Sequence, residues 1–355
     1  MLSSITLSNY KSFGTRQIVP LQPLTVLVGP NNSGKSNLMS VGRFFRNVAV
    51  EPWAVPALNA EGGPPVLLHR GSGSPVVEIG WGLDDDSRYT ARLTLTAKGI
   101  ESIREQTHAE GADRDDESQF FQGFSQAFGR NRGEGAWRLT RALGSSRSVR
   151  LSLRAIRAPA AVVQNAQLGS DGSNAAAVIG EWSAGDLARS EQLDAFLHRC
   201  VPEVLKVRAG PSATPGHQDL SFVHTRGQTF GPDAVSDGVL FFTALAMHLV
   251  DASPGIVLFI EEPETGIHPR RLRDVIDLMR QIVRERGCQI VMSTHSPVVL
   301  DVFRDEPEAI VLFRRDAGGG TETRVAAEAP RVVAALEDAS PGELLETGYF
   351  DGAWD

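Results

Sequence analysis

Leu24-Thr-Val-Leu-Val28 runs without a break into Gly29-Pro-Asn-Asn-Ser-Gly34-Lys35-Ser36. A short apolar strand thus ends in the spacing G-x-x-x-x-G-K-S. Leu38, Met39, Val41, Phe44 and Phe45 then recur at helical spacing, so a helix begins at Lys35 or Ser36. Strand, Gly-rich turn and helix in that order are the context in which this spacing forms a phosphate-binding loop. Gly29 and Gly34 open backbone angles closed to other residues, letting successive N–H groups point at phosphate oxygens. The helix N-terminus adds the positive end of its dipole. Lys35 supplies a point charge for the β- and γ-phosphates of a nucleotide, and Ser36 a hydroxyl for Mg2+. The chain has 35 basic residues, yet its lysines are only Lys11, Lys35, Lys98 and Lys206. One of so few sits in this loop.

The rest of the composition bounds the class. At 355 residues and 41% hydrophobic, the chain has enough apolar residues for a sizeable core. That excludes global disorder. No apolar run reaches the ~18 residues of a membrane span, and the first residues lack the charged-then-apolar pattern of a signal peptide. Cys200 and Cys288 have no metal-type spacing, which argues for a reducing, cytoplasmic setting without disulfides. A net charge of -8 predicts no bulk affinity for nucleic acid.

Two more strands end in polar groups. Ile256–Ile260 is an apolar run that delivers Glu261 and Glu262 to its C-terminal end, where ligand sites of open α/β sheets lie. Adjacent strand residues point opposite ways, so the two carboxylates take different roles. Glu261 can hold Mg2+, directly or through water, and Glu262 can orient the attacking water as base. Cys288–Ser293 is a buried strand followed by His295, placed to report a γ-phosphate. Ser236 stands where it would N-cap a helix over 236–250, with Asp237 and Gly238 behind it. Elsewhere the pattern predicts strands at 2–8, a hairpin from VVEIGWGL and YTARLTLTA, and an exposed helix or loop over the acidic residues 101–117. It further predicts two strands within 137–156, helix over 159–206, a strand pair at LKVRA and DLSFVHT, and a terminal hairpin from EAIVLFRR and TETRVAA. The four phenylalanines of 118–129 could cover part of a core.

Together LSNYKSFG, GPNNSGKSNL, VSDGV, FIEEPETGIHP and STHSP resemble the ATPase heads of the ABC superfamily, in the SMC, RecF and OLD-type branch. The resemblance spans the chain, with its specific motifs at 1–40 and 230–300. It implies an α/β P-loop NTPase of one split head: a parallel core sheet, an antiparallel β subdomain and an inserted helical lobe. Residues 1–158 would hold the loop and β subdomain, 159–250 the helical and signature lobe, and 251–355 the returning strands. It implies ATP and Mg2+ bound by Gly29, Asn31, Asn32, Ser33, Gly34, Lys35, Ser36, Asn37 and Glu261, with Glu262 and His295 catalytic. Gln164, or else Gln167, would be the metal-approaching glutamine that follows a strand into the helical lobe. Ser236, Asp237 and Gly238 would reach the nucleotide of a second head, giving an ATP-dependent dimer. The signature is VSDGV rather than LSGGQ, and Glu261 stands where transporters carry Asp, which speaks against a transporter subunit. No heptads run between 40 and 230, so no long coiled coil is expected. About 55 residues after the switch loop leave no room for a nuclease fold, so any cutting would come from a partner effector. The heads so resembled serve DNA repair and phage defence. A non-hydrolysing, ATP-gated module controlling a nuclease or toxin is the alternative.

One basic segment departs from the acidic average. Arg130, Arg132, Arg138, Arg141, Arg147, Arg150, Arg154 and Arg157 are opposed only by Glu134. They could track a DNA backbone, or pair as a solvated face with the acidic stretch 101–117. Arg154 or Arg157 could instead reach an ATP phosphate.

Overall fold

The computed structural model describes residues 1–50, 62–96, 99–108, 114–119, 144 and 146–354. The residues divide into two compact units. One comprises Met1–Ser148, Gly255–Phe259 and Cys288–Asp355; the other comprises Val149–Pro254 and Ile260–Gly287. The chain leaves the first unit twice and returns twice.

The core sheet has six strands: β3 (Leu24–Val28), β8 (Arg147–Val149), β13 (Val257–Glu261), β14 (Gln289–Ser293), β15 (Ile310–Arg315) and β16 (Thr321–Val325). Their order is β16-β15-β3-β14-β13-β8. β3 pairs in parallel with β14 on one side and β15 on the other. All five residues of β3 and of β14 are buried, as continuous apolar runs between two covered faces require. The β15–β16 hairpin closes one edge, as its alternating pattern predicts.

The second sheet of this unit is antiparallel, ordered β2-β1-β4-β5-β6-β7. Its strands are β1 (Leu2–Ser8), β2 (Gln17–Pro20), β4 (Val76–Leu83), β5 (Arg88–Thr96), β6 (Gly99–His108) and β7 (Arg114–Gln119). One apolar cluster joins it to the core sheet and to helix α1 (Lys35–Val50): Trp81 meets Phe259 edge-on with ring centroids 6.4 Å apart, and Phe13 meets Phe313 at 6.5 Å. A short helix α2 (Pro64–Leu67) follows.

Two local expectations need correction, and a third falls partly outside the described residues. Residues 101–117 form strand, not an exposed helix or loop, except for 109–113, which lie outside the described residues. Ile103 and Glu105 face inward on β6 while charged neighbours face out, so the acidic composition records one face only. The buried Glu105 accepts from the Tyr89 hydroxyl at 2.5 Å. Of the two strands expected in 137–156, the described part holds only β8, followed by one helical turn, α3 (Leu153–Arg157), anchored by buried Ile156. Helix does not fill 159–206. Ala160–Ala161 is a strand, β9, and the helices begin at Ala175, because Asn165, Gly172 and Asn174 adopt positive φ in the intervening turns. The phenylalanines of 120–128 lie outside the described residues.

The second unit is helical around a small sheet, β10 (Val204–Pro211), β11 (His217–His224) and β12 (Thr229–Phe230), with β9 also on β11. Helices α4 (Ala175–Gly185) and α5 (Leu187–Cys200) precede the sheet; α6 (Asp237–Val250) and α7 (Pro269–Arg286) follow it. The first unit ends with α8 (Pro297–Asp301), α9 (Pro330–Asp338) and α10 (Pro341–Glu346). Cys200 and Cys288 are both buried free thiols. Among the described residues, no helix is long and apolar enough to cross a membrane.

Candidate functional site

The phosphate loop lies where β3 ends and α1 begins, as its spacing predicts. Gly29 has φ 154° and Gly34 φ 113°, angles that favour glycine. A Cβ on Gly29 would strike the Phe313 carbonyl of β15; one on Gly34 would strike Thr321 Oγ1 and come within 2.8 Å of Ser12 Oγ. The glycines therefore shape the loop and let the neighbouring hairpin close behind it. Lys35 is buried, and its Nζ donates to the carbonyls of Gly29 at 2.6 Å and Pro30 at 2.9 Å, so the ammonium lies over its own loop. Asn31, Asn32 and Ser36 are exposed at the mouth. Ser33 Oγ is buried without a hydrogen-bond partner, an orphaned polar atom inside the cradle. Glycine-shaped cradle, ammonium and orphaned hydroxyl are the donor set a polyphosphate requires.

The loop is braced from behind by contacts that bring in Ser12, Thr321 and Arg315, which the sequence reading did not single out. Asn37 Nδ2 donates to Ser12 Oγ at 2.7 Å, and the buried Thr321 Oγ1 lies 2.8 Å from both Ser12 Oγ and the Ser33 carbonyl. Arg315, at the end of β15, donates from Nε to the Asn32 carbonyl at 2.7 Å and from a guanidinium nitrogen to Asn32 Oδ1 at 3.2 Å. Lys11 Nζ donates to Ser40 Oγ at 2.8 Å, tying the YKSF turn to α1. A cavity beside the loop is lined by Lys11, Asn32, Asn37, His69, Arg70 and Arg315, four of them basic residue types. No local signal marks Thr321 or Arg315, because both arrive nearly three hundred residues after the loop.

His295 lies two residues past the end of β14 and is exposed. Thr294 N–H donates to the Leu27 carbonyl at 3.2 Å, which fixes this strand end beside that of β3. Ser296 caps α8 through Val299 N–H, so the histidine stands between a strand and a capped turn. Parallel pairing of β14 with β3 places His295 and the loop at the same edge of the sheet.

In the second unit, Glu261 is the last residue of β13 and Glu262 follows with φ 47°. A left-handed backbone at a non-glycine residue is uncommon and costs energy. Here it falls on the residue expected to be the base, and turns the chain out of the strand between the two carboxylates. Both line a cavity of about 170 Å³ with Arg150, Leu151, Pro263 and Thr265. The Arg150 guanidinium lies 3.8 Å from Glu261 Oε2.

The signature residues open α6. Ser236 is the N-cap with extended φ and ψ of -68° and 155°, yet its side chain makes no capping bond. The cap expectation holds for the backbone and fails for the hydroxyl. Arg157 fixes the turn instead, with a 2.6 Å pair to Asp237 and a 3.6 Å pair to Asp233. Gly238 packs against the Gly266 carbonyl of the segment after the carboxylates. Gln164 is exposed in a turn after β9, and Gln167 lies in the same connection; neither lines the cavity at Glu261. Of the Arg stretch, Arg130, Arg132, Arg138 and Arg141 lie outside the described residues. Among the described residues, no group of three or more His, Cys, Asp or Glu could hold a metal; the Ser36 hydroxyl and the Glu261 carboxylate are each oxygen donors of the kind Mg2+ takes.

A family model described as "AAA domain, putative AbiEii toxin, Type IV TA system" matches residues 24–301. The chain belongs to this AAA-domain family. Its motifs and fold are consistent with a head of the SMC, RecF and OLD-like kind. The OLD nuclease of Thermus scotoductus is 42% identical over 59 residues, a match spanning 17% of this AAA-domain chain and 11% of that nuclease. The Smc head bound to the C-winged helix domain of ScpA superposes with a TM-score of 0.59 at 14% identity, covering 91% of this chain and 97% of that one. The Smc head with an extended coiled coil from Pyrococcus furiosus, bound to the C-terminal domain of ScpA, gives 0.53 at 13%, covering 95% and 99%. At such identities the likeness shows the P-loop ABC-type fold alone.

Proposed function

We propose that this AAA-family head binds Mg2+·ATP in the cytoplasm and hydrolyses its β–γ bond, and that two heads close on two nucleotides. The observation that carries this reading is the glycine-shaped loop with Lys35 laid across it. Membership of an AAA ATPase family agrees with it. The N–H groups of 29–37 and the Lys35 ammonium would hold the β- and γ-phosphates. Ser36 and Glu261 would hold Mg2+, which when bound neutralises charge on the phosphate oxygens. Glu262 would accept the proton of a water as its oxygen bonds to the γ-phosphorus and the bond to the β-phosphate oxygen breaks. His295 would hydrogen-bond the γ-phosphate. The uncapped Ser236 hydroxyl and the N–H groups of Asp237 and Gly238 would complete the partner head's site, and ATP would stabilise the dimer by mass action.

We further propose that the head works with a partner effector in DNA repair or phage defence. The family description and the match to a nuclease favour the second setting. DNA contact is assigned to Arg130, Arg132, Arg138, Arg141 and Arg147, without Arg150, whose guanidinium meets a carboxylate.

Phosphate release by purified protein tests the enzyme. Glu262→Gln should lower the rate by roughly 100-fold or more while nucleotide still binds, the contribution of a general base. An unchanged rate removes Glu262 from that role. ATP binding without phosphate release would favour the second reading, an ATP-gated module controlling a toxin, to which the family's description points.

A further inference from the structure

Arg150 belongs by sequence to the basic stretch, but its geometry points elsewhere. It follows β8, the neighbour of β13 in the sheet. Its N–H donates to the Ser170 carbonyl at 2.9 Å, and Ser152 N–H donates to the Asp171 carbonyl at 2.9 Å. The turn over 169–173 therefore fixes where the side chain starts. Nε then lies 3.8 Å from Glu261 Oε2, with the arginine side chain 78% exposed and that of Glu261 22% exposed. Both line the same cavity as Glu262.

We infer that Arg150 is the resting counter-ion of Glu261: it positions that carboxylate in the nucleotide-free head and competes with the incoming divalent cation for it. The inference rests on the reading that Glu261 holds Mg2+. A single carboxylate cannot pair fully with a guanidinium and a divalent ion, since the two cations repel at contact distance. The pair at 3.8 Å is mostly solvated on the arginine side, which makes it weak and displaceable. It is available at every physiological pH, because a guanidinium keeps its charge throughout that range. A glutamine at this position would aid metal binding; an arginine raises the Mg2+ concentration at which the loaded state forms.

The test is a Mg2+ titration of fluorescent ATP-analogue binding. It compares wild type, Arg150→Ala, Arg150→Lys, Glu261→Gln and the double variant Arg150→Ala with Glu261→Gln. Arg150→Ala should move the midpoint to lower Mg2+ by about two- to fivefold, the range of an exposed ion pair, with Arg150→Lys shifted less. The shift should shrink in high salt and vanish in the Glu261→Gln background. An unmoved or raised midpoint in Arg150→Ala overturns the inference. So does a shift that persists in the double variant, because the arginine would then act on the field and not through Glu261. Wild-type binding with no Mg2+ dependence would instead overturn the assignment of Glu261 as metal ligand. Thermal melts of each variant confirm that the fold is kept.

Discussion

Replacing Thr321 by Val removes one oxygen from behind the phosphate loop and adds a methyl of nearly equal size. Thr321 is fully buried, and its Oγ1 sits 2.8 Å from Ser12 Oγ and 2.8 Å from the Ser33 carbonyl. A hydroxyl has one proton, so it can donate to only one of them. The carbonyl can only accept. The consistent chain therefore runs from Asn37 Nδ2 to Ser12 Oγ, from the Ser12 hydroxyl to Thr321 Oγ1, and from the Thr321 hydroxyl to Ser33. In Thr321→Val, Ser12 keeps its bond from Asn37, while the Ser33 carbonyl loses this donor. One buried acceptor left unsatisfied costs about 1–3 kcal/mol. For a unit of this size each kcal/mol lowers Tm by roughly 2–4 °C, so a cost near 2 kcal/mol gives a fall of about 4–8 °C. Denaturant melts supply the free energy, and nucleotide-analogue binding reports whether the loop has loosened. Thr321→Ser, which keeps the oxygen, should recover most of both. If Thr321→Val matches wild type within about 0.5 kcal/mol and binds nucleotide equally well, the hydroxyl chain does not brace the loop.

Gly238→Ala should destabilise the second unit by about 1–3 kcal/mol, because its Cβ would press on the Gly266 carbonyl, a backbone atom that must shift. A melt unchanged from wild type would show that this close approach is not rigid. The Cys200 thiol is pushed up to about 12 by burial and by Asp274. The folded state therefore keeps its proton while the unfolded thiol loses it near 9.0, so this contribution to stability is complete below pH 9 and is lost as pH rises toward 12. Native protein should accordingly resist maleimide at neutral pH and react on unfolding; rapid native labelling of Cys200 would contradict its burial.

The phosphate loop and the polar strand ends were legible for different reasons. Lys35, Ser36 and the glycines announce themselves because their chemistry is local: a strand, a turn of fixed spacing and a helix start lie within a dozen residues. Glu261, Glu262 and His295 were equally readable as polar groups ending apolar runs. The strand 101–108 was not, because charge composition describes a solvent face and says nothing of the alternation that buries Ile103 and Glu105. Gln164 was sought after a strand entering the helical lobe; it lies in a turn after β9, while Arg150 follows β8, the strand that flanks β13.

By itself the sequence determined the fold class, the phosphate loop and which buried strands end in polar residues, since periodicity and short-range spacing encode these. Only the tertiary structure decided that Thr321 and Arg315 brace the loop, that Arg157 and not the Ser236 hydroxyl secures the signature turn, and that Arg150 lies beside Glu261. Such contacts join residues separated by tens to hundreds of positions. Strand order and register select them, and no local pattern in the chain records that choice.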